Sequence, residues 1–504
     1  MSSSIKKLAG QTVWYGISSI AARFINYLLT PLLTYNLAHK EDYGKIGLIY
    51  SAIPILNVLF TYGFETAYFR FSSREEYKKD IYSTSSLSLL FSTILFTALL
   101  WIFQSSFGAV IGLSNFPEII QISIFIIALD ALTIIPFAKL RQEGRPRKYA
   151  FIKIAGILIN IFITWFYVAW CPKHAQENTG NFFALIYDVN TNPVVYVMLG
   201  NLIQNVFTLL LLSKEIRDVK FKFNTGLWKE MIIYSLPLII AGMGGMINET
   251  FDRLMLRWWL PGSVQHKEAE VGIYNACYKL SILITLFIQA FRLGAEPFFF
   301  KQAEGNSPQR TYARVMKYFV ITLCITFLLI NLFIPVWRYF IDKAYWDGLA
   351  VVPILVLANM SLGIYYNLSI WYKLSRKTTA GATITLIGAG ITFLINYIFI
   401  PRFSYMASAW ATFSCYVSMM VISYLWGQKV YPVPYAWKKL LAYIAIVIIL
   451  YFIQMGIVLL WDNPAFNLAL SVVFTSTFIL FVIKVEKNEL VQLPFAGRYI
   501  SKFF

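Results

Sequence analysis

The sequence predicts an all-α polytopic membrane protein of about fourteen transmembrane helices, and three observations predict it. Of its 504 residues, 58% are hydrophobic and only 13% charged, where a soluble domain carries roughly 25% charge. Apolar runs of about 20 residues, enough to cross hydrocarbon as helices, recur along the whole chain. Aromatic residues make up 17%, and many Trp and Tyr fall at the ends of those runs, where interfacial belts place them.

The first span, 10–37, stays as an anchor, because it is too long for a cleavable signal and lacks a small-residue cleavage site. Within it Ser19, Arg23, Asn26, Thr30 and Thr34 follow each other at steps of three and four, which is one helical face. A charge at the bilayer centre costs roughly 2.5–3.5 kcal/mol on insertion scales, so that face turns from lipid to a wet interior path. Arg23 then either ties neighbouring helices through backbone carbonyls or grips two oxygens of an anionic head group with its planar donors. Span 43–69 repeats the rule with Tyr50, Asn57, Thr61 and Glu65.

Spans 80–104 and 118–138 follow. Asp130 is the sole acid inside the latter; it either binds a coupling proton or sodium ion or makes a helix-interface hydrogen bond. Spans 149–170 and 193–213 complete a first set of six. Lys45, Arg70 and Lys153 lie near span ends and are expected to snorkel.

Span 230–259 carries Gly242, Gly244 and Gly245, which permit bending or close packing, and then Glu249, Asp252, Arg253 and Arg257. These charges serve either structural pairing or gating. In span 271–300, Tyr278, Ser281, Thr285, Gln289, Arg292 and Glu296 keep the helical rhythm. Arg292 and Glu296 are four apart and can pair. Lys279 points off that stripe by about 100°, so it reaches a flanking part of the cavity or snorkels. Spans 315–335, 349–372, 378–400 and 404–427 close a second set of six, and 440–460 and 465–483 remain over. Tyr365, Tyr366 and Tyr372 offer rings that stack on a sugar face or simply pack.

The net charge of +18 is topological and does not imply nucleic acid. Most Lys and Arg fall in the two termini and every second loop, for example Lys139, Arg141, Arg145, Arg147 and Lys148. This is the positive-inside pattern, with both termini cytoplasmic. Part of the excess also attracts anionic lipid head groups. Basic residues in and at the edges of the spans outnumber acidic ones, which favours an anionic cargo. Of the four cysteines only Cys171 falls on the outer side, so no disulfide framework is implied. The three histidines lie in outer loops, and no Cys/His spacing suggests a metal. No Gly-rich nucleotide loop is present, so a proton or sodium gradient is the expected energy source, with no cofactor.

Gly63-Phe64-Glu65 running to Arg70 matches Gly294-Ala295-Glu296 running to Lys301, and Tyr43-Gly44 matches Val271-Gly272. A parallel repeat of two six-helix lobes facing each other across a central cavity follows. The lobes are 1–220 and 221–429, and 430–504 adds two helices and a cytoplasmic tail. Pro31, Pro54, Pro136, Pro237 and Pro297 are placed to bend helices.

Several runs carry a family resemblance. Tyr234-Ser235-Leu236-Pro237-Leu238 followed by Asp252-Arg253-Leu254, and Ile400-Pro401-Arg402-Phe403 followed by Ala407-Ser408-Ala409-Trp410-Ala411-Thr412, resemble polysaccharide flippases of the MOP (multidrug/oligosaccharidyl-lipid/polysaccharide) superfamily. So does Asp42-Tyr43-Gly44 leading to Gly63-Phe64-Glu65. Ser404 and Ser408 depart from the pattern, standing where glycine is common. The resemblance implies a MOP/MATE-like fold and a flippase, not an enzyme. It would move undecaprenyl-pyrophosphate-linked oligosaccharide of the O-antigen or capsule type across a bacterial inner membrane by alternating access. It implies Arg23 and Arg292 as cavity arginines, with Asn26, Lys279 and Gln289 beside them on the substrate. Glu65, Asp130, Glu249, Asp252, Arg253 and Glu296 are then candidates for gating or ion coupling. Span two offers Lys45 and Glu65 where a central arginine is expected, so that part of the pattern is missing. The implied partners are the lipid-linked oligosaccharide, membrane lipids, and a polysaccharide polymerase with its chain-length regulator, and the protein itself is expected to be a monomer. A multidrug exporter, a peptidoglycan-precursor flippase and a membrane polymerase or ligase are the rival readings.

Overall fold

The computed structural model describes residues 20–177, 186–302, 308–375, 377–461 and 463–490, which are helical with no strand among them. The long helices are α1 (Leu29–Asn36, preceded by a helical stretch over 20–27), α2 (Lys40–Thr61), α3 (Ile81–Ile102), α4 (Pro117–Gln142), α5 (Pro146–Trp165), α6 (Pro193–Leu211) and α7 (Thr225–Thr250). They continue as α8 (Val264–Gln302), α9 (Pro308–Asn331), α10 (Val351–Leu368), α11 (Thr378–Phe403), α12 (Tyr405–Val430), α13 (Trp437–Leu460) and α14 (Pro464–Val485). Thirteen helices among the described residues are long and apolar enough to cross a membrane. The remaining expected span is the first, whose residues 1–19, Ser19 included, lie outside the described part.

Local chemistry sets the ends. Proline opens α4, α5, α6 and α14, where its missing N–H would have had no partner in any case. The side chains of Asn192, Asn224 and Asn463 cap α6, α7 and α14 by accepting backbone N–H groups, satisfying donors that a helix start leaves open. The first span breaks at Leu28, whose N–H donates to Ile25 O at 3.0 Å. The ring of Pro31 crowds the carbonyl four residues back and removes a donor, so the ladder cannot run through.

Two expected spans are interrupted. Span two ends as α2 at Thr61 and resumes as Phe64–Phe71 after Tyr62 and Gly63, both left-handed at φ 33° and 74°. Span seven restarts as Asp252–Trp259. In α8 the backbone runs helical through Gly294 without a break, so Gly63 and Gly294 are not structural equivalents. The other half of the proposed repeat behaves differently: Gly44 and Gly272 meet. A Cβ on Gly44 would sit 1.9 Å from Glu268 O, and one on Gly272 would sit 2.3 Å from Lys40 O. Glycine is required at both positions for α2 and α8 to cross this closely.

The turn between α11 and α12 is the single residue Ser404 at φ 49°. Its hydroxyl donates to the Glu270 carboxylate, which anchors a conformation that would otherwise favour glycine. Ser408 is fully buried and donates to Asn396 Oδ1 at 2.9 Å.

α13 and α14 pack against α9 through polar contacts. Glu486, just past α14, accepts from Lys317 (2.7 Å), Lys439 (2.6 Å) and Tyr443 (2.6 Å). Further along, Gln454 and Ser471 both donate to Leu332 O. The loops rich in Lys and Arg gather at one end: Arg74 pairs with Glu230, Lys222 with Asp80, and Arg145 and Lys148 with Glu215.

Candidate functional site

Charges from both halves of the chain come within electrostatic reach of one another in the middle of the molecule. Arg23 from the first span, Glu249 from α7 and Arg292 from α8 are all exposed in the isolated chain, and Glu249 interacts electrostatically with both arginines. Tyr366 of α10 faces the same three groups, with the Arg292 guanidinium 4.5 Å above its ring. Tyr149 of α5 also lies within the field of Arg23. A guanidinium held over an aromatic face keeps its edge free for planar oxyanion contacts.

Beside these groups a cavity of about 540 Å³ runs into the first half of the molecule, bounded by the first span, α2, α4, α5, α6 and α8. Arg23, Asn26 and Thr30 line it; Thr34, on the same face, is buried at the far end. Lys153 and Lys279 add two ammonium groups against one carboxylate, Asp130. Asp130 accepts from Asn57 Nδ2 at 2.7 Å and interacts electrostatically with Lys153. Lys153 lies 4.2 Å over the Phe137 ring and faces this cavity, whereas snorkelling was expected. The carboxylate and the shelter of the ring hold it inward.

α8 presents a different face from the one its rhythm suggested. Tyr278 and Ser281 are buried; Arg253 stacks 4.1 Å over the Tyr278 ring, and Ser281 donates back to Tyr278 O. The face that lines the cavity carries Asn275 and Lys279, one turn apart and about 100° round the helix from the stripe. Gln289 is half-buried, nearly one turn before Arg292. The side chain of Glu296 lies outside the described ones.

The remaining candidates sit away from the cavity. Asp252 and Arg253 form a sealed pair at 2.7 Å. Tyr274 donates to the second carboxylate oxygen at 2.7 Å, and Arg253 donates to Glu249 O at 3.1 Å. Both are at most 5% exposed, so the pair ties α7 to α8 from within. Glu65 pairs with Arg141 at 2.5 Å at the basic end. Lys45, expected to snorkel, is buried at the opposite end, 2.8 Å from Asp42, 3.9 Å from Glu268 and 4.3 Å from the Phe116 ring centre. Two carboxylates and a ring hold it beside the Gly44–Gly272 crossing. α2 and α8 are thus held together at that end.

Sequence reasoning missed one wall. Asn201, Gln204, Asn205 and Thr208 of α6 line the cavity, and their steps of three, one and three are a polar helical stripe that could have been read directly. Among the described residues no group of His, Cys, Asp and Glu could hold a metal.

Residues 8–301 match the model of a family described as "Polysaccharide biosynthesis protein". No curated protein matches the chain. Among solved structures it is similar to the lipid II flippase MurJ in an inward closed conformation, with a TM-score of 0.69 and 14% identity over 94% of this chain and 99% of that one. It is also similar to a MATE-family multidrug resistance transporter of the MOP superfamily. The inward-facing form gives a TM-score of 0.64 and 14% identity over 80% of this chain and 93% of that chain. The outward-facing form gives 0.59 and 14% over 84% and 95%. At such identity these likenesses establish the fold.

Proposed function

Because the chain belongs to the polysaccharide biosynthesis protein family, we propose that it flips undecaprenyl-pyrophosphate-linked oligosaccharide from the cytoplasmic to the outer leaflet of a bacterial inner membrane. The basic end is cytoplasmic, as the charge bias favours. The observation that carries this reading is that Arg23 and Arg292, from opposite halves, both lie in the field of Glu249 and Tyr366. Two guanidiniums from opposite halves can grip the two phosphates of a pyrophosphate together. Rocking of the halves then exposes the head group to the other side while the polyprenyl chain stays in lipid. The product feeds surface polysaccharide of the O-antigen or capsule type, in company with a polymerase and chain-length regulator.

A peptidoglycan-precursor flippase shares the same anchor chemistry and is the second reading, favoured by the likeness to the lipid II flippase over 99% of that chain. Three cations against one carboxylate along the cavity disfavour a cationic drug. Coupling to a proton or sodium gradient falls to Asp130, the sole carboxylate lining that cavity among the described residues. Asp130→Asn is expected to leave lipid binding intact while making flipping insensitive to an imposed gradient; unchanged gradient dependence would remove Asp130 from that role.

In cells, Arg23→Ala and Arg292→Ala should each insert normally yet lose surface polysaccharide, with lipid-linked glycan accumulating. Normal surface glycan in both variants refutes the assigned site.

A further inference from the structure

The flippase reading places the pyrophosphate at the central arginines and assigns no residues to the sugars, and a cavity reaching into the first half of the molecule lies beside those arginines. Its volume, about 540 Å³, lies within the range of about 300–1,000 Å³ typical of ligand pockets. Six of the twenty-one lining residues are purely apolar. The rest present amides, hydroxyls and phenols from several helices, a dense set of donors and acceptors suited to hydroxyl-rich molecules.

Several of these polar groups lack protein partners. Asn275 is 7% exposed and faces the cavity from α8, and its amide has no hydrogen-bond partner among the described residues. The same holds for the Gln204 amide on α6, opposite. Asn205 spends its amino group on Ile126 O at 3.1 Å, leaving its carbonyl oxygen to the cavity. Facing the cavity, these groups can bond the hydroxyls of a ligand in place of water. Arg23 both lines this cavity and lies in the field of Glu249, so a group seated here is continuous with an anion at the arginines. Asp130 is held by Asn57 and Lys153, and Lys279 stands one turn from Asn275 on α8 as a further cation of the lining.

We infer that this cavity is a saccharide subsite. It takes the sugar residues next to the pyrophosphate, with Asn275 and Gln204 hydrogen-bonding their hydroxyl or acetamido groups and Lys279 shared with the adjacent phosphate. The inference rests on the flippase reading for the identity of its anchor. It assigns head-group recognition to the first half of the chain, leaving the arginines to hold the pyrophosphate.

The test measures binding to the purified full-length protein of two lipids: undecaprenyl pyrophosphate, and the same lipid carrying one N-acetylglucosamine. The sugar-bearing lipid should bind the unaltered protein about tenfold more tightly, equivalent to about 1.4 kcal/mol. The Gln204→Ala, Asn275→Ala double variant should lose that preference while binding the sugar-free lipid as before, at an unchanged melting temperature. Gln204→Ala alone guards against misfolding and should cost about threefold in the preference, a fraction of one decade. Equal affinity for both lipids in the unaltered protein overturns the subsite, as does a preference that survives in both variants. Where the sugar-free lipid binds and Arg23→Ala abolishes it, that failure belongs to the subsite alone. Where neither lipid binds, the flippase reading falls with it.

Discussion

Replacing Gly44 by alanine should open the end of the molecule opposite the basic loops. The new Cβ would stand 1.9 Å from Glu268 O and 2.8 Å from Glu268 C, with Gly272 N at 3.1 Å. These neighbours are backbone of α8, so no side-chain rotation relieves the clash. The helices must separate by at least about 1 Å, and overpacking of this kind typically costs 1–3 kcal/mol. The cost falls only on the state in which α2 and α8 cross, so that state loses about 5- to 150-fold in relative population. Separation also pulls Lys45 from Glu268 across the same seam, 3.9 Å apart when closed. Spin labels at Ala38→Cys and Gln265→Cys, on exposed positions either side of the crossing, read the change as a longer inter-label distance. A distance distribution in folded Gly44→Ala identical to that of the unaltered background would refute the crossing as a closure.

The seat of α13 and α14 makes a second prediction. Glu486→Gln leaves Lys317 and Lys439 beside a neutral side chain, and breaking a buried pair costs about 3–5 kcal/mol, seen as a lower melting temperature in detergent. Its pH dependence has a fixed sign. Burial alone would raise the Glu486 carboxyl, but its bonds from Lys317, Lys439 and Tyr443 outweigh burial and hold it below the usual carboxylate value. Stability from this group is therefore complete above an ordinary glutamate pKa of about 4.3 and is lost as pH falls through the lower folded value. Glu215 has the same sign: burial raises it, while Lys148 and Arg145 carry it lower. A melting temperature flat from neutral pH down to the ordinary glutamate range should drop below that range, and Glu486→Gln should blunt the drop.

Helix number and most boundaries were legible because a bilayer demands long apolar runs, and proline or asparagine marked several starts. The polar face of the first span was legible for the same reason: Arg23, Asn26 and Thr30 keep helical spacing, and all three line the cavity. Spacing could not tell which polar stripe meets water and which meets a neighbouring helix. Tyr278 and Ser281 obey the same rhythm as Arg292, yet they are buried against Arg253 and the backbone. Lys279, off the stripe, reaches the cavity. Lys45 shows the converse limit. Its nearness to a span end suggested snorkelling; besides Asp42, three residues before it, it faces Glu268, over two hundred residues away in sequence, a pairing no local pattern contains. Spacing paired Gly44 with Gly272 and Gly63 with Gly294; the first two meet at the crossing, while Gly63 breaks a helix that Gly294 does not.

The central claim is that Arg23 and Arg292 together hold a lipid-bound pyrophosphate while its head group crosses. Proteoliposomes loaded with undecaprenyl-pyrophosphate-linked saccharide, probed by a membrane-impermeant lectin, measure this directly. The unaltered protein should move the sugar into or out of lectin reach within the assay. The Arg23→Ala, Arg292→Ala protein, reconstituted to the same level and equally folded, should leave it where it began. Equal rates of exchange in the two preparations would contradict the account.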